Sequence, residues 1–216
     1  MANQVEIPVG KLALPGELET PSQALGLVIF AHGSGSSRHS PRNQFVAQTL
    51  RKAGLATLLF DLLTAQEEAE EAATRHLRFD IPFLAERLVA ATRWVRASAR
   101  IAPGYFGSST GAAAALVAAA ELGNEIGAVV SRGGRPDLAE DALQRVTAPT
   151  LLLVGSNDET VLELNEEAAG KLECEKALRI IPGASHLFEE SGTLELVAKQ
   201  AAEWFVQHFQ HPMPRG

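Results

Sequence analysis

The chain has 216 residues, 46% of them hydrophobic, and a formal net charge of −7. That length suits one α/β unit with a sizeable core, and the acidic balance argues against nucleic acid or an anionic membrane as partner. A single cysteine, Cys174, leaves no intramolecular disulfide, and MANQVEIPVG has neither the basic nor the apolar region of a secretory leader, so a cytoplasmic protein is expected. No apolar run reaches membrane-span length and no Cys/His cluster has zinc spacing, so neither a membrane nor a metal or other cofactor is expected.

In chain order, Gln4 to Val9 and Lys11 to Leu14, split by Gly10, read as an edge hairpin. Leu25 to Ala31 (LGLVIFA) is the most hydrophobic strand candidate and runs into His32-Gly33-Ser34-Gly35-Ser36-Ser37. Asn43 to Ala53 follows as an amphipathic helix with Phe45, Val46, Thr49 and Leu50 on one face, and Ala56 to Leu62 as a strand. Thr64 to Arg78 is acidic, then basic, without apolar periodicity. It is expected to be a solvated loop or surface helical turn, with a flap beside a site as its functional reading. Ile81 to Ser98 is a long helix.

Ile101 to Phe106 then leads into Gly107-Ser108-Ser109-Thr110-Gly111 and an Ala-rich buried helix, Ala112 to Ala120. Strand, G-x-S-x-G and helix in that order is the context of a nucleophile elbow. The central Ser109 must take a strained conformation, and Gly107 and Gly111 omit the Cβ atoms that would strike neighbouring backbone. A strand at Ile126 to Ser131 leads to Arg132-Gly133-Gly134-Arg135 and a short helix near Pro136 to Arg145. Pro149 follows Ser131 by only 18 positions, too few for a cap domain. Pro149 to Val154 is a strand closed by Gly155-Ser156-Asn157-Asp158-Glu159 and followed by a helix at Val161 to Leu172. Lys176 to Ile181 is a strand closed by Pro182-Gly183-Ala184-Ser185-His186, and Thr193 to Phe209 is the last helix.

Apolar strands alternating with amphipathic helices imply a mainly parallel, doubly wound sheet of about seven to eight strands within one α/β domain spanning residues 1–216. Right-handed crossovers gather the strands' C-terminal ends at one edge. A nucleophilic serine needs a base, and the base needs an orienting carboxylate. Asp158 follows Ser109 by 49 residues and His186 follows Asp158 by 28, each in a loop leaving a strand. Two N–H donors for a tetrahedral oxyanion are expected at Thr110 and at Ser34, with Gly35 as second choice for the latter. Asp158 also reads as a helix N-cap, with Asn157 and Glu159 as rivals for its role, and His186 as an ordinary loop histidine. His32 reads as a brace for its loop, His39 and His76 as surface residues, and His208 and His211 as frayed tail. Arg38, Arg42 and Arg132 are read first as solvated or paired to carboxylates. One turned inward would bind a substrate carboxylate, so Gly35, Arg38 and Arg132 are the substrate-binding candidates.

The stretches VIFAHGSGSS, GYFGSSTGAAAAL, TLLLVGSNDETV and IIPGASHLFEE resemble a small α/β-hydrolase of the dienelactone-hydrolase-like type over residues 25–209. The resemblance implies an uncapped α/β-hydrolase fold with catalytic Ser109, Asp158 and His186. It departs from the name-giving enzymes in one respect: those use Cys as nucleophile, and this elbow holds Ser109. The implied activity is a serine hydrolase acting on a small-molecule ester, thioester or lactone, working as a monomer or homodimer. A binding or scaffold protein that kept the fold without turnover is the alternative, since architecture alone does not assign function.

Overall fold

Eight strands and six α-helices close into a three-layer sandwich in the computed structural model, which describes residues 3–33, 35–98 and 101–210. The strands are β1 (Asn3–Val9), β2 (Leu12–Glu19), β3 (Leu27–Ala31), β4 (Ala56–Phe60), β5 (Pro103–Ser108), β6 (Val129–Arg132), β7 (Thr150–Gly155) and β8 (Lys176–Ile181). They pair in the order β1-β2-β4-β3-β5-β6-β7-β8. β1 and β2 form an antiparallel hairpin, and β2 also pairs antiparallel with β4. Every pairing from β4 across to β8 is parallel. The central strands β3 to β7 are buried at every position, which is why they read as unbroken apolar runs rather than alternating ones.

Helices α1 (Pro41–Lys52) and α6 (Thr193–Gln210) cover one face of the sheet, over a core that includes Val28, Phe30, Phe106, Val130 and Leu153. Helices α3 (Ile81–Ser98) and α4 (Thr110–Leu122) lie on the other face, where α5 (Glu159–Lys171) contributes Ala168 to the core. α1 buries Asn43, Val46, Ala47 and Leu50, so the expected face is turned slightly, leaving Phe45 and Thr49 half-buried. α4 buries ten residues, six of them alanines, which lets it press close to β5. No separate cap domain is present among the described residues. The short helix expected near Pro136 to Arg145 is present in 3₁₀ form over Pro136–Arg145, kinked at Glu140 with φ 48°.

The acidic segment after β4 takes the helical of its two expected forms, extended beyond a single turn. It is α2 (Ala65–Thr74), started by a reciprocal capping box in which Thr64 and Glu67 bond each other's backbone N–H. Its only buried residue is a carboxylate, Glu71, which accepts from Leu77 N–H at 2.8 Å and pairs with Arg78. Glu67 pairs at 2.7 Å with Arg87, a buried residue of α3. Charged contacts anchor this helix, so apolar periodicity had no signal to give.

α6 holds a correction. His208 is no frayed tail: it is 5% exposed and its ring packs 4.4 Å from Trp204. Phe209 next to it fills a slot floored by glycines. A Cβ at Gly26 would meet its ring at 2.1 Å, one at Gly127 at 2.7 Å and one at Gly104 at 2.9 Å. His211 lies outside the described residues.

Candidate active site

β5 ends at Ser108, and Ser109 makes the turn into α4 with φ 51° and ψ −126°, a conformation that L-residues rarely adopt. The turn is enforced from both sides. A Cβ on Gly107 would lie 2.5 Å from Ala112 Cα, and one on Gly111 would lie 2.2 Å from the Ala31 carbonyl oxygen. Both obstacles are backbone and cannot rotate away. Thr110, buried, takes the first position of α4, at the positive end of its dipole.

Asp158 sits at the N-cap of α5, yet its side chain makes no capping bond. Its Oδ2 lies instead 2.6 Å from Nδ1 of His186. With Nδ1–H donated to the carboxylate, Nε2 is left as the acceptor nitrogen, the tautomer a general base requires. Asn157 is committed elsewhere, donating from Nδ2 to Gly183 C=O at 2.9 Å, and Glu159 is exposed. The geometry therefore separates Asp158 from both rivals.

The loop after β3 passes over Ser109: a Cβ on Gly33 would lie 2.9 Å from that of Ser109. His32 braces this loop. Leu62 N–H donates to its Nε2 at 3.0 Å, which places the ring proton on Nδ1, 3.0 Å from Gly33 C=O. Burial pushes the His32 imidazole below its usual pKa, partly offset by the Gly33 bond, so it is neutral at pH 7. Ser34 lies outside the described residues. Gly35 is exposed at φ 67° in a turn closed by Ser36 N–H to Gly33 C=O at 3.2 Å.

A cavity of about 360 Å³ opens beside this loop, lined among others by Gly33, Gly35, Thr110, Leu63, Glu71 and Arg78. The α2 segment thus forms one wall of the cavity beside the elbow. Arg38 does not line this cavity: its guanidinium and backbone N–H both bond Asp61, tying the loop to the end of β4. Arg42 pairs with Glu189 at 3.4 Å, and His39 and His76 are exposed.

Arg132 contradicts the solvated-or-paired reading. It ends β6 in register with Ser108, is 8% exposed, and lies over the Phe188 ring at 5.8 Å. Among the described residues no carboxylate pairs with it, and its Nε and Nη1 have no hydrogen-bond partner. Burial pulls its pKa down to about 10, with Arg42 adding like-charge repulsion, so it remains a cation at neutral pH. Sequence reasoning could place Arg132 at a strand end but could not see that no carboxylate comes to meet it.

A sequence model of the alpha/beta hydrolase domain matches residues 24–211. The chain is 56% identical to a dienelactone hydrolase of Anabaena variabilis, whose crystal structure superposes with a TM-score of 0.94 over 96% of this chain and 98% of that one. The Est1E protein of Butyrivibrio proteoclasticus shares the fold at 19% identity and a TM-score of 0.80, covering 96% of this chain and 99% of its own. Curated relatives from two Mycobacterium tuberculosis strains, provisionally named phosphoribosyl transferases, are 53% identical over 99% of this chain. This chain spans about half their length, 48%. An eight-stranded, mostly parallel sheet, an elbow at the end of its fifth strand and these matches together place the chain in the α/β-hydrolase family, on its dienelactone-hydrolase-like side.

Proposed function

We propose that the protein is a serine hydrolase that cleaves small esters, thioesters or lactones through an acyl-enzyme on Ser109. His186 Nε2 takes the Ser109 proton as Oγ attacks the carbonyl carbon, then returns it to the leaving oxygen or sulfur. Asp158 holds the imidazole in the required tautomer and stabilises the imidazolium. The N–H groups of Thr110 and of the Gly33–Ser37 loop, Ser34 first and Gly35 second, stabilise the tetrahedral oxyanion. Water activated by His186 then attacks the acyl carbon and releases Ser109 with the acid product.

The observation that carries this reading is the Asp158 side chain. An N-cap aspartate bonded to its own helix typically contributes about 1 kcal/mol. Asp158 makes no such bond and stands 2.6 Å from His186 instead, as a triad carboxylate must.

The proposed catalytic unit is one domain, residues 25–209 at its core. It works in the cytoplasm, where a reducing medium suits the half-buried free thiol of Cys174, as a monomer or homodimer and with no cofactor. No helix among the described residues is long and apolar enough to cross a membrane.

Incubation with a fluorophosphonate and intact-mass measurement tests the proposal. One adduct is expected on the wild type and none on Ser109→Ala. An unlabelled wild type, or labelling that survives the substitution, overturns it and favours the binding-protein alternative.

A further inference from the structure

An asparagine inside a helix is a poor helix former, and burial adds a desolvation cost unless its amide is bonded. Asn165 carries both burdens in α5, where it is 0% exposed. Its Nδ2 donates to Val161 C=O of its own helix at 2.7 Å and to Gly134 C=O at 2.9 Å, so both amide hydrogens are used. Its Oδ1 has no hydrogen-bond partner among the described residues. Reversing the amide would set Oδ1 against two carbonyl oxygens, which fixes its orientation. A leucine would fill the same space without leaving an acceptor unpaired. What the asparagine adds is the bond to Gly134.

That bond continues through two peptide groups. In a trans peptide the C=O and the following N–H point in opposite directions from one rigid plane, and the described residues include no cis peptide. The Gly134–Arg135 peptide accepts from Asn165 at its oxygen and donates at its nitrogen, from Arg135 N–H to Ser109 C=O at 3.0 Å. The Ser109–Thr110 peptide is held in turn at its oxygen, where Ala112 N–H also donates at 3.1 Å. The other end of that plane is Thr110 N–H, the donor assigned to the oxyanion. Gly134 is wedged in place, since a Cβ there would strike Ser131 Oγ and lie 2.5 Å from Ala112 Cβ. Asn165 stands about two helical turns beyond Asp158, the N-cap of the same helix. One helix thus reaches His186 through Asp158 and the elbow through Asn165.

Resting on the reading of Ser109 as nucleophile, we infer that Asn165 is a positioning residue for the oxyanion site, whose amide aims and polarises Thr110 N–H through the Gly134–Arg135 and Ser109–Thr110 peptides. Aim follows from geometry: holding the oxygen end of a rigid plane fixes the direction of its N–H. Polarisation follows from the chain, because a peptide that accepts at its oxygen becomes a stronger donor at its nitrogen. Ser109 at φ 51° is strained, so its peptide plane needs restraint from outside the turn. As negative charge grows on the substrate oxygen the whole relay tightens, which favours the transition state over the bound ester.

The experiment compares kcat/KM for 4-nitrophenyl acetate and for O-4-nitrophenyl thionoacetate in the wild type, Asn165→Leu and Asn165→Ala. Sulfur is a weak acceptor, so the thionoester draws little on the oxyanion donors. Outright loss of one such donor costs about 10²–10³ in kcat, and misaiming one should cost about tenfold on the oxygen ester with KM nearly unchanged. The oxygen-to-sulfur ratio should shrink by a similar factor in both variants. A merely structural defect slows both substrates alike, so an unchanged ratio in folded Asn165→Leu overturns the inference. Phe209→Ala, altered at the end of the sheet opposite the elbow, should keep the wild-type ratio. A ratio that shifts there as well overturns the inference, because instability alone would then move it.

If neither Asn165 variant folds, NMR of the wild type decides. A trifluoromethyl ketone traps the site when Ser109 Oγ adds to its carbonyl carbon, the serine proton passes to His186 and the carbonyl oxygen becomes the oxyanion. The Arg135 N–H and Asn165 Nδ2–H protons should then move downfield as the relay tightens, and unmoved resonances overturn the inference. Fluorophosphonate labelling separates the two readings. An unlabelled wild type brings this inference down together with the hydrolase reading, whereas a labelled wild type with an unchanged ratio in Asn165→Leu refutes the relay alone.

Discussion

Gly111→Ala ought to stabilise a helix, and here it should do the reverse. In an exposed helix interior, alanine exceeds glycine by about 1 kcal/mol. At position 111 the new Cβ would stand 2.2 Å from Ala31 O and 2.6 Å from His32 O, where real Cβ contacts essentially never fall below 3.0 Å. Relief requires the exit of β3 or the first turn of α4 to move by at least 0.8 Å. Both are held, β3 by parallel pairing that sets Ala31 opposite Gly107, and α4 by burial along its length. Overpacking of this kind costs about 1–3 kcal/mol, more when the obstacle is backbone, so a net loss of about 2 kcal/mol is expected after the helix gain is subtracted. Urea unfolding measures it directly, and Tm should fall by roughly 4–8 °C in a protein of this size. Gly170→Ala is the control: it lies in α5 with nothing within 4 Å of its Cβ, so it should gain up to about 1 kcal/mol. Fluorophosphonate labelling of Ser109 should drop in Gly111→Ala and stay at the wild-type level in Gly170→Ala. Equal stability of Gly111→Ala and wild type would refute the account of the elbow as a backbone contact that only glycine permits.

Asp158→Asn should leave the melting temperature nearly unchanged while lowering kcat by roughly 10³–10⁴, because the imidazole loses the acceptor on Nδ1; a loss below tenfold would move the orienting role elsewhere. His32, and in the same direction His208, is held by burial below the usual pKa of 6.5, so the unfolded chain takes up protons first as pH falls. Stability should therefore be full above pH ~6.5 and decline below it, by at most about 1.4 kcal/mol per pH unit per group. Urea titrations at pH 7.5, 6 and 5 check this, and a slope equally steep in His32→Gln would acquit His32. Glu71 acts lower on the scale. Burial raises its pKa, but Arg78 and Leu77 N–H outweigh that and bring the carboxyl below its ordinary 4.5, so its contribution is present above that pH and lost in more acid solution. Glu71→Gln should blunt acid unfolding below pH 4.5, and an unaltered acid limb would count against the anchor. Phe209→Ala should cost about 3 kcal/mol by equilibrium unfolding, since three glycine backbones cannot close over the vacated slot; a loss under 1 kcal/mol would show that α6 resettles.

The helices and strands whose fit is apolar were readable in advance. Ile81–Ser98 and Lys176–Ile181 fall where periodicity and β-branched content put them, and the elbow glycines were placed by a steric argument that the 2.2 and 2.5 Å approaches make concrete. What escaped was chosen by partners distant in sequence. α2 buries a carboxylate rather than an apolar stripe, and its one local signal was the Thr64-x-x-Glu67 capping box. β2 runs to Glu19, through Pro15 and Gly16, because β4 pairs along its second edge. His208 reads as tail until the glycine slot beside it is known. Arg132 is the clearest case: a sequence shows an arginine after a strand, and only the assembled loops show that no acid reaches it.

The slot that receives Phe209 also bears on the order in which the molecule assembles. Its floor comes from Gly26, Gly104 and Gly127, positions at or just before the starts of three adjacent strands and scattered over half the chain. No fragment presents that floor; it exists only once β3, β5 and β6 stand side by side. Docking of the last turn of α6 is therefore a consequence of sheet closure rather than a contributor to it, and Phe209 belongs on the unfolding limb of the kinetics. Shortening its ring should hasten unfolding and leave the folding rate almost untouched, with a φ-value near zero. The edge of the sheet opposite the elbow thus acts as the clasp that sets the protein's lifetime.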